Sequence, residues 1–465
     1  MTRMQTVGAE FSGRAMPNAA DRSKPTVEVD FRKTADGGLL ELVEDPTRPG
    51  CHRLCSFKNG EVKYVPSHQD ENQISVPLRL TDKLWRNVNF PKGAGELRSL
   101  RHIIGQILKF LWWTIELDDS DRWLVAFFIL STWLIDQLPV APYLAFVGPP
   151  GSGKTRALEV LHLLCRRSLL TADISSAAFQ KVCDRIYPTV LIDETSTLKN
   201  KKEVLHLLRS GFTRGLVFSD AKGASKMFGA KVMSWLELPD DAALNTRCLV
   251  ISMKTSTRRD LVSVMDPRVQ LAAYELQRVL LRHRFDRYNH FMVPELFDQF
   301  ALQPRTRDLY RALSIPLCGA RVFRKLLVEK LKAQESIRAT LPRHQSAVLE
   351  VLFELAHQEE KHDGWLFSYL KRLVNGRLRG RGEVGRLSEK RVGSILTTLH
   401  LTNRSRGNAG YVLWREKDTL EQIHTLFHNY RSSLDCNRFE DCELCDTMSR
   451  TPANKSKSKS KKKGT

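Results

Sequence analysis

The stretch LAFVGPPGSGKTRALEV, Leu144 to Val160, decides how the chain is read. Gly148, Pro149, Pro150, Gly151, Ser152, Gly153, Lys154 and Thr155 satisfy G-x-x-x-x-G-K-[ST] at every defined position. The context agrees: Tyr143 to Val147 has the unbroken apolar pattern of a buried strand, and RALEVLHLLC after the loop has helical spacing. Glycines at these positions let backbone N–H groups wrap the β-phosphate of a nucleotide at a helix N-terminus. Lys154 is placed to reach the β- and γ-phosphates and the Thr155 hydroxyl to ligate Mg²⁺, with Arg156 beside them at the nucleotide. ATP and Mg²⁺ are the expected cofactors.

Thirty-nine residues past Lys154, the apolar run Thr189-Val190-Leu191-Ile192 ends in Asp193 and Glu194. A carboxylate at the C-terminal end of a buried strand can hold the Mg²⁺ shell, and its neighbour can polarise an attacking water. Glu194 and Lys154 are therefore candidate catalytic residues. Between the two motifs fit one short strand near Leu170 and one helix, Ser175 to Tyr187. Strand, loop, helix, strand, helix, strand with an acidic pair is the order of a P-loop ATPase with an additional strand. Beyond it, KKEVLHLLRSGFTRG reads as an amphipathic helix, and LVFSDAKGASKMFGAKVMSWLEL as a hairpin followed by the strand Lys231 to Trp235. That strand is expected beside the Asp193 strand, so that Ser234 at its end sits where a polar group senses the γ-phosphate. Arg247 stands just before the strand Cys248 to Met253, and QPRTRDLYRAL offers Arg305 or Arg307 as an arginine over the phosphates. The alternatives are a surface arginine for the first and a solvated helix face for the others; Arg307 is carried forward as the nucleotide-site candidate.

GPPGSGKT, VLIDET, LLRSGFTRG, FGAKV and LNTRCLVI together resemble the AAA+ ATPase core of helicase-type proteins of bacterial and archaeal mobile elements. The layout is similar to minichromosome-maintenance-like and superfamily 3 helicases, over roughly residues 100 to 335. The resemblance implies a homo-oligomeric ring, a hexamer, with ATP hydrolysed at subunit interfaces. It implies that Arg247 reaches the neighbouring subunit's nucleotide as a third catalytic residue. It also implies a hairpin projecting into the central channel, where Lys222 or Lys226 would touch the DNA backbone. The departure is at the sensor position, which holds Ser234 in place of the expected asparagine.

Charge and the C-terminal sequence point the same way. The formal net charge is +21, and the terminal KSKSKSKKKGT supplies only six of those charges. A basic surface favours a polyanion, nucleic acid first, because counterion release rewards it. In the stretch from Gly364 to Trp414, Ser388 can cap a helix carrying Lys390 and Arg391, and a basic turn with Arg404 and Arg406 lies between two short strands. Helix plus basic hairpin resembles a winged helix, with Arg377, Arg379, Arg381 and Arg386 as further backbone contacts. A structural or protein-contact role is its alternative. Single-stranded or forked DNA is the expected partner.

The expected fold is α/β: a P-loop AAA+ core with helical flanks at 96–340, a small β-rich N-terminal module at 38–95 around an Asn59-Gly60 turn, and a winged helix at 341–416. Residues 1–37 are expected to be disordered, and 417–465 to form a helix, a Cys cluster and a Lys-rich tail. The longest apolar run, Trp123 to Ile135, falls short of the roughly 20 residues of a spanning helix and reads as a buried helix, so no membrane partner is expected. Nine scattered cysteines and no secretion signal suit the cytoplasm, in association with the nucleoid. Cys436, Cys442 and Cys445 after His424 and His428, and Cys51 and Cys55 around His52, have some zinc-ligand character. Neither set gives four ligands at a familiar spacing, and zinc is the weaker cofactor reading. No acidic polymerase triad stands out in residues 1–95, so a primase role has no support. The function expected is an ATP-driven DNA motor, a replicative helicase or initiator of a mobile element. A DNA-binding switch ATPase that regulates loading, transposition or transcription without unwinding is the alternative.

Overall fold

The computed structural model describes residues 24–48, 50–193, 202–220, 223–236, 238–239, 241–290, 302–338, 343–358, 363–381, 386–430 and 442–445. Its centre is a six-stranded sheet in the order Cys248–Ser252, Tyr143–Val147, Ala230–Trp235, Thr189–Ile192, Ser168–Thr171 and Val88–Asn89. The first five strands are parallel, and Val88–Asn89 closes one edge antiparallel to Ser168–Thr171. The strands read as near-continuous apolar runs because both faces are covered. The strand bearing Ser234 lies between the P-loop strand and the Asp193 strand, so the loop, Asp193 and Ser234 end on one edge of the sheet.

Helices pack on the sheet and on one another. Lys154–Leu164 follows the loop and buries Ala157, Leu158, Val160, Leu161 and Leu164. Leu100–Thr114 is capped by Ser99 and buries Ile103, Ile104, Ile107 and Leu111 on one stripe. Asp119–Thr132 buries nine consecutive residues from Leu124 to Thr132, as a helix apolar all round must. Among the described residues no helix is long and apolar enough to cross a membrane.

The N-terminal strands correct the expected division of the chain. Thr26–Val29 and Phe31–Lys33 fall inside the stretch expected to be disordered; the first pairs in parallel with Ile74–Pro77 and the second antiparallel to Leu39–Glu44. Strands this short carry no readable period, and the first takes its order from a partner nearly fifty positions away, Thr26 facing Ile74. The Asn59-Gly60 turn is present, both residues at positive φ (50° and 85°), between His52–Lys58 and Glu61–Val65. This layer is not a separate module: Leu39, Leu42, Leu54 and Val88 belong to the same buried cluster as Tyr143, Leu144 and Phe146. Polar burial joins them too. Glu41 accepts from Arg166 at 2.6 and 2.9 Å, from Arg167 at 2.8 Å and from Arg284 at 3.0 Å, all four side chains being fully buried.

Residues 343–445 have their own apolar cluster. Helices Arg343–Ala356, Phe367–Gly380 and Glu389–Thr398 pack with a three-stranded antiparallel sheet in the order Gly364–Leu366, Gly410–Trp414, Arg404–Gly407. Lys417–Tyr430 then packs back onto Arg343–Ala356, with Phe353 and Phe427 stacked.

Candidate nucleotide site

The loop between Val147 and Lys154 has the backbone that its glycines predict. Gly151 and Gly153 lie at φ of 77° and 85°, where side chains with a Cβ are strained. Gly148 is needed for space, since a Cβ there would meet the Met253 carbonyl oxygen at 2.3 Å. Gly153 caps the following helix without a side chain, so no side-chain oxygen competes for the first-turn N–H groups. This cradle fits a nucleotide phosphate. Lys154 Nζ donates to the carbonyls of Gly148 and Pro149 at 2.7 Å each, at the mouth of the loop. Burial draws its ammonium below the usual value, and the nearby Asp193 carboxylate pulls the other way. Ser152 is buried, whereas Thr155 is exposed at the helix start.

Asp193 ends its strand beside Ser234, whose hydroxyl donates to Asp193 Oδ1 at 2.6 Å. Ser234 thus orients the carboxylate expected to hold the cation, a partner the sequence did not give it, having placed it only where a polar group senses the γ-phosphate. Glu194 lies outside the described residues.

Three other candidates stand away from the loop. Arg156 turns from it and donates to the Val262 carbonyl, which corrects its expected place at the nucleotide. Arg247 donates to the Ala243 carbonyl and lies over the Phe212 ring, which Arg305 shares. Phe212 accepts from Ala141 N, just before the P-loop strand begins. Seven residues of extended chain separate Ala141 from Gly148, so Arg247 sits at the opposite edge of the sheet, roughly 20 Å from its own loop. Arg307 donates to Leu302 O at 3.4 Å; its guanidinium is given to its own helix start and not to the phosphate loop.

Sequence reasoning missed Lys231. Fully buried, its Nζ donates to the carbonyls of Met227 and Gly229 at 2.8 and 2.7 Å, and burial pushes its pKa down to about 8. It ties the end of the hairpin Val217–Asp220 and Gly223–Lys226 to the strand that carries Ser234. A lysine inside an otherwise apolar strand was the available signal. Lys226 is exposed at the open end of that hairpin, and Lys222 lies outside the described residues.

The basic C-terminal residues divide in two. Lys390, Arg391, Arg379, Arg404 and Arg406 are exposed, although Arg404 also donates to the Gly393 carbonyl at 2.8 Å and so pins the hairpin to the Glu389–Thr398 helix. Arg381 is different: it donates to both oxygens of the fully buried Glu350 at 2.6 and 2.8 Å, with Arg377 on the same carboxylate at 3.0 Å. That corrects Arg381 as a free backbone contact, because its charge balances a buried one.

The glycine-rich loop thus lies at the C-terminal end of a parallel sheet in an α/β unit, with an oriented aspartate on the second strand over. No family model matches the chain, and no curated protein matches it. Among solved structures, the A-form apo structure of the NrS-1 C-terminal region is 11% identical; the match covers 80% of this chain and 95% of that one, with a TM-score of 0.32. The X-ray structure of JCV helicase is 14% identical over 51% of this chain and 66% of that one, with a TM-score of 0.25. Cdc6p from Pyrobaculum aerophilum is 14% identical over 76% of this chain and 99% of that one, with a TM-score of 0.18. Likenesses this low carry no argument about activity, and the functional conclusion rests on this chain's own residues.

Proposed function

We propose that the chain is an ATP-hydrolysing AAA+ motor that acts on DNA as a homo-oligomeric ring, in the manner of a replicative helicase or initiator of a mobile element. The observation that carries this reading is the placement of Lys154 with Asp193 at one edge of the sheet and Arg247 at the other. Two half-sites on opposite edges of one sheet complement each other only between copies. When bound, ATP with Mg²⁺ supplies a phosphoryl group whose transfer to water releases free energy. In that site Lys154 offsets the phosphate charge, and Thr155 and Asp193 hold the cation, with Ser234 fixing the aspartate. Glu194 is the base that orients the attacking water, and Arg247 of the adjoining copy stabilises charge in the transition state.

Two features support DNA as the partner. The element order of residues 343–414 suits a winged helix, with Lys390 and Arg391 on the helix for a major groove and Arg406 on the wing for phosphates. The hairpin tethered through Lys231 suits a channel loop, with Lys222 toward the strand that is drawn through; Lys226 stands at the hairpin's open end, beside the tether, which corrects it as a channel contact. Coupling then runs from Asp193 through Ser234 and its strand to Lys231 and the hairpin base.

The test is steady-state hydrolysis by the wild type and Glu194→Gln, with and without single-stranded DNA, alongside unwinding of a forked duplex. DNA-stimulated hydrolysis with unwinding, both lost in the variant, is the expected result. Hydrolysis without unwinding would replace the motor with an ATP-dependent switch on DNA, and an inactive wild type would overturn both.

A further inference from the structure

Four side chains from three separate parts of the C-terminal unit converge on one point. His357 follows the helix Arg343–Ala356, His424 lies within Lys417–Tyr430, and Cys442 and Cys445 flank a single turn. One nitrogen or sulfur atom from each lies within 4.8 Å of all the others. Nε2 of His357 and Nε2 of His424 are 3.2 Å apart, Cys442 Sγ is 3.3 Å from His424 Nε2, and Cys445 Sγ is 3.5 Å from His357 Nε2. Zinc bond lengths of about 2.0 Å to nitrogen and 2.3 Å to sulfur, set at tetrahedral angles, put ligand atoms roughly 3.3 Å (N to N) and 3.5 Å (N to S) apart. Those three contacts stand at such separations, and every other pair lies within 4.8 Å.

The tautomers agree. His357 Nδ1 lies 2.7 Å from Phe353 O and His424 Nδ1 2.7 Å from Leu420 O, each the carbonyl four residues back. A carbonyl only accepts, so Nδ1 carries the proton on both rings and both Nε2 atoms present lone pairs to the cluster. Two lone pairs facing each other at 3.2 Å repel, and a cation between them turns the contact into coordination.

We propose that His357, His424, Cys442 and Cys445 form a structural zinc site. Two neutral imidazoles and two thiolates, released of their protons on binding, give a neutral site with the divalent ion. The donor set selects zinc over magnesium or calcium, which take oxygen, and the interleaved histidine and cysteine atoms, 3.2 to 3.5 Å apart, surround one ion and not a two-iron cluster, which sets its two histidines on one iron and its two cysteines on the other. Four protein ligands close the shell, so the ion acts as a staple. It clips the Cys442–Cys445 turn onto the junction of the first and last helices of the unit, beside the Phe353–Phe427 stack. The exposed His428, one turn past His424, is not a ligand, and Cys51, His52 and Cys55 do not form such a group. The site is independent of the motor reading.

The test uses the full chain purified under reducing conditions without chelator. One zinc per chain by elemental analysis is expected, falling at least tenfold in Cys442→Ser/Cys445→Ser and unchanged in His428→Asn. Because the double variant can lose its fold, wild-type protein stripped of metal is also titrated with Co²⁺. A tetrahedral cobalt spectrum with thiolate-to-cobalt charge transfer, saturating at one equivalent and displaced by Zn²⁺, supports the site. Sub-stoichiometric zinc with no cobalt spectrum overturns it, as does a Cys442–Cys445 disulfide found by mass spectrometry in the chain as purified under reducing conditions, which would leave no thiolates for a metal.

Discussion

The Ser234 hydroxyl donates to Asp193 Oδ1 at 2.6 Å across neighbouring parallel strands, one position beyond the paired Ile192 and Met233. A hydrogen bond to a charged group contributes on the order of 2 kcal/mol. If it serves to hold the cation-binding carboxylate in place, Ser234→Ala lowers kcat for ATP hydrolysis by about tenfold to thirtyfold and raises the Mg²⁺ concentration needed for half-maximal rate. Nucleotide affinity without Mg²⁺ stays the same. Unchanged rates at limiting Mg²⁺ would remove Ser234 from the site.

Arg247 and Lys154 stand at opposite edges of the sheet, and that separation gives a mixing test. Lys154→Ala should cost at least about a hundredfold in nucleotide affinity, and Arg247→Ala should keep affinity while losing at least about a hundredfold in kcat. Neither variant alone hydrolyses ATP. Mixed, they form interfaces pairing an intact loop with an intact Arg247, and hydrolysis returns to a fraction of wild type. Silence in the mixture, with oligomers verified by mass photometry, would show that Arg247 does not act between copies.

In the C-terminal unit the charges separate by partner. Lys390→Ala/Arg406→Ala removes exposed cations, so DNA affinity falls at every sequence and the log–log salt slope shrinks by about one per lost phosphate contact, with the melting temperature unchanged. Arg381→Ala leaves Glu350 buried with less compensation, so its first effect is on stability, about 3 kcal/mol or more by chemical denaturation. A salt slope altered by Arg381→Ala with no loss of stability would reverse that assignment.

What the sequence disclosed follows the range of the physics. The P-loop, the Asn59-Gly60 turn and the Ser388 cap are local, set by φ or by a hydrogen bond within a few residues, and each is present. The parallel strands were visible as apolar runs, because burial on both faces leaves no alternation. Long-range relations were hidden. Thr26–Val29 is a strand only because Ile74–Pro77 pairs with it, and Arg381 is engaged only because Glu350 is buried 31 positions away. His357 stands 67 positions before His424, so no spacing rule joins it to the cysteines, whereas the adjacent His428 suggested a pair that the structure does not use. Arg247 was placed by its position before a strand, and its distance from its own loop needed the sheet order.

The buried cluster around Glu41 makes a prediction about acid. Burial opposes ionisation of Glu41, but the guanidiniums of Arg166, Arg167 and Arg284 overcome it and hold the carboxyl below its usual range. Asp136 is likewise held down by Arg284 against its burial. A carboxyl whose folded pKa is depressed contributes stability above its unfolded pKa and loses it as pH falls toward the folded one, because the unfolded chain takes up the proton first. Glu41→Gln should therefore cost about 3–5 kcal/mol at neutral pH, where it leaves buried arginines undercompensated. The wild type then loses stability faster than Glu41→Gln below about pH 4.5, by up to about 1.4 kcal/mol per pH unit for the one missing proton. Urea denaturation of both proteins from pH 7 to pH 3 measures this as a difference that narrows on acidification, other carboxylates cancelling between them. Parallel curves would mean that Glu41 titrates alike in the folded and unfolded chains, the arginines only offsetting its burial, whereas a difference that widens on acidification would mean that the folded carboxyl is protonated at neutral pH.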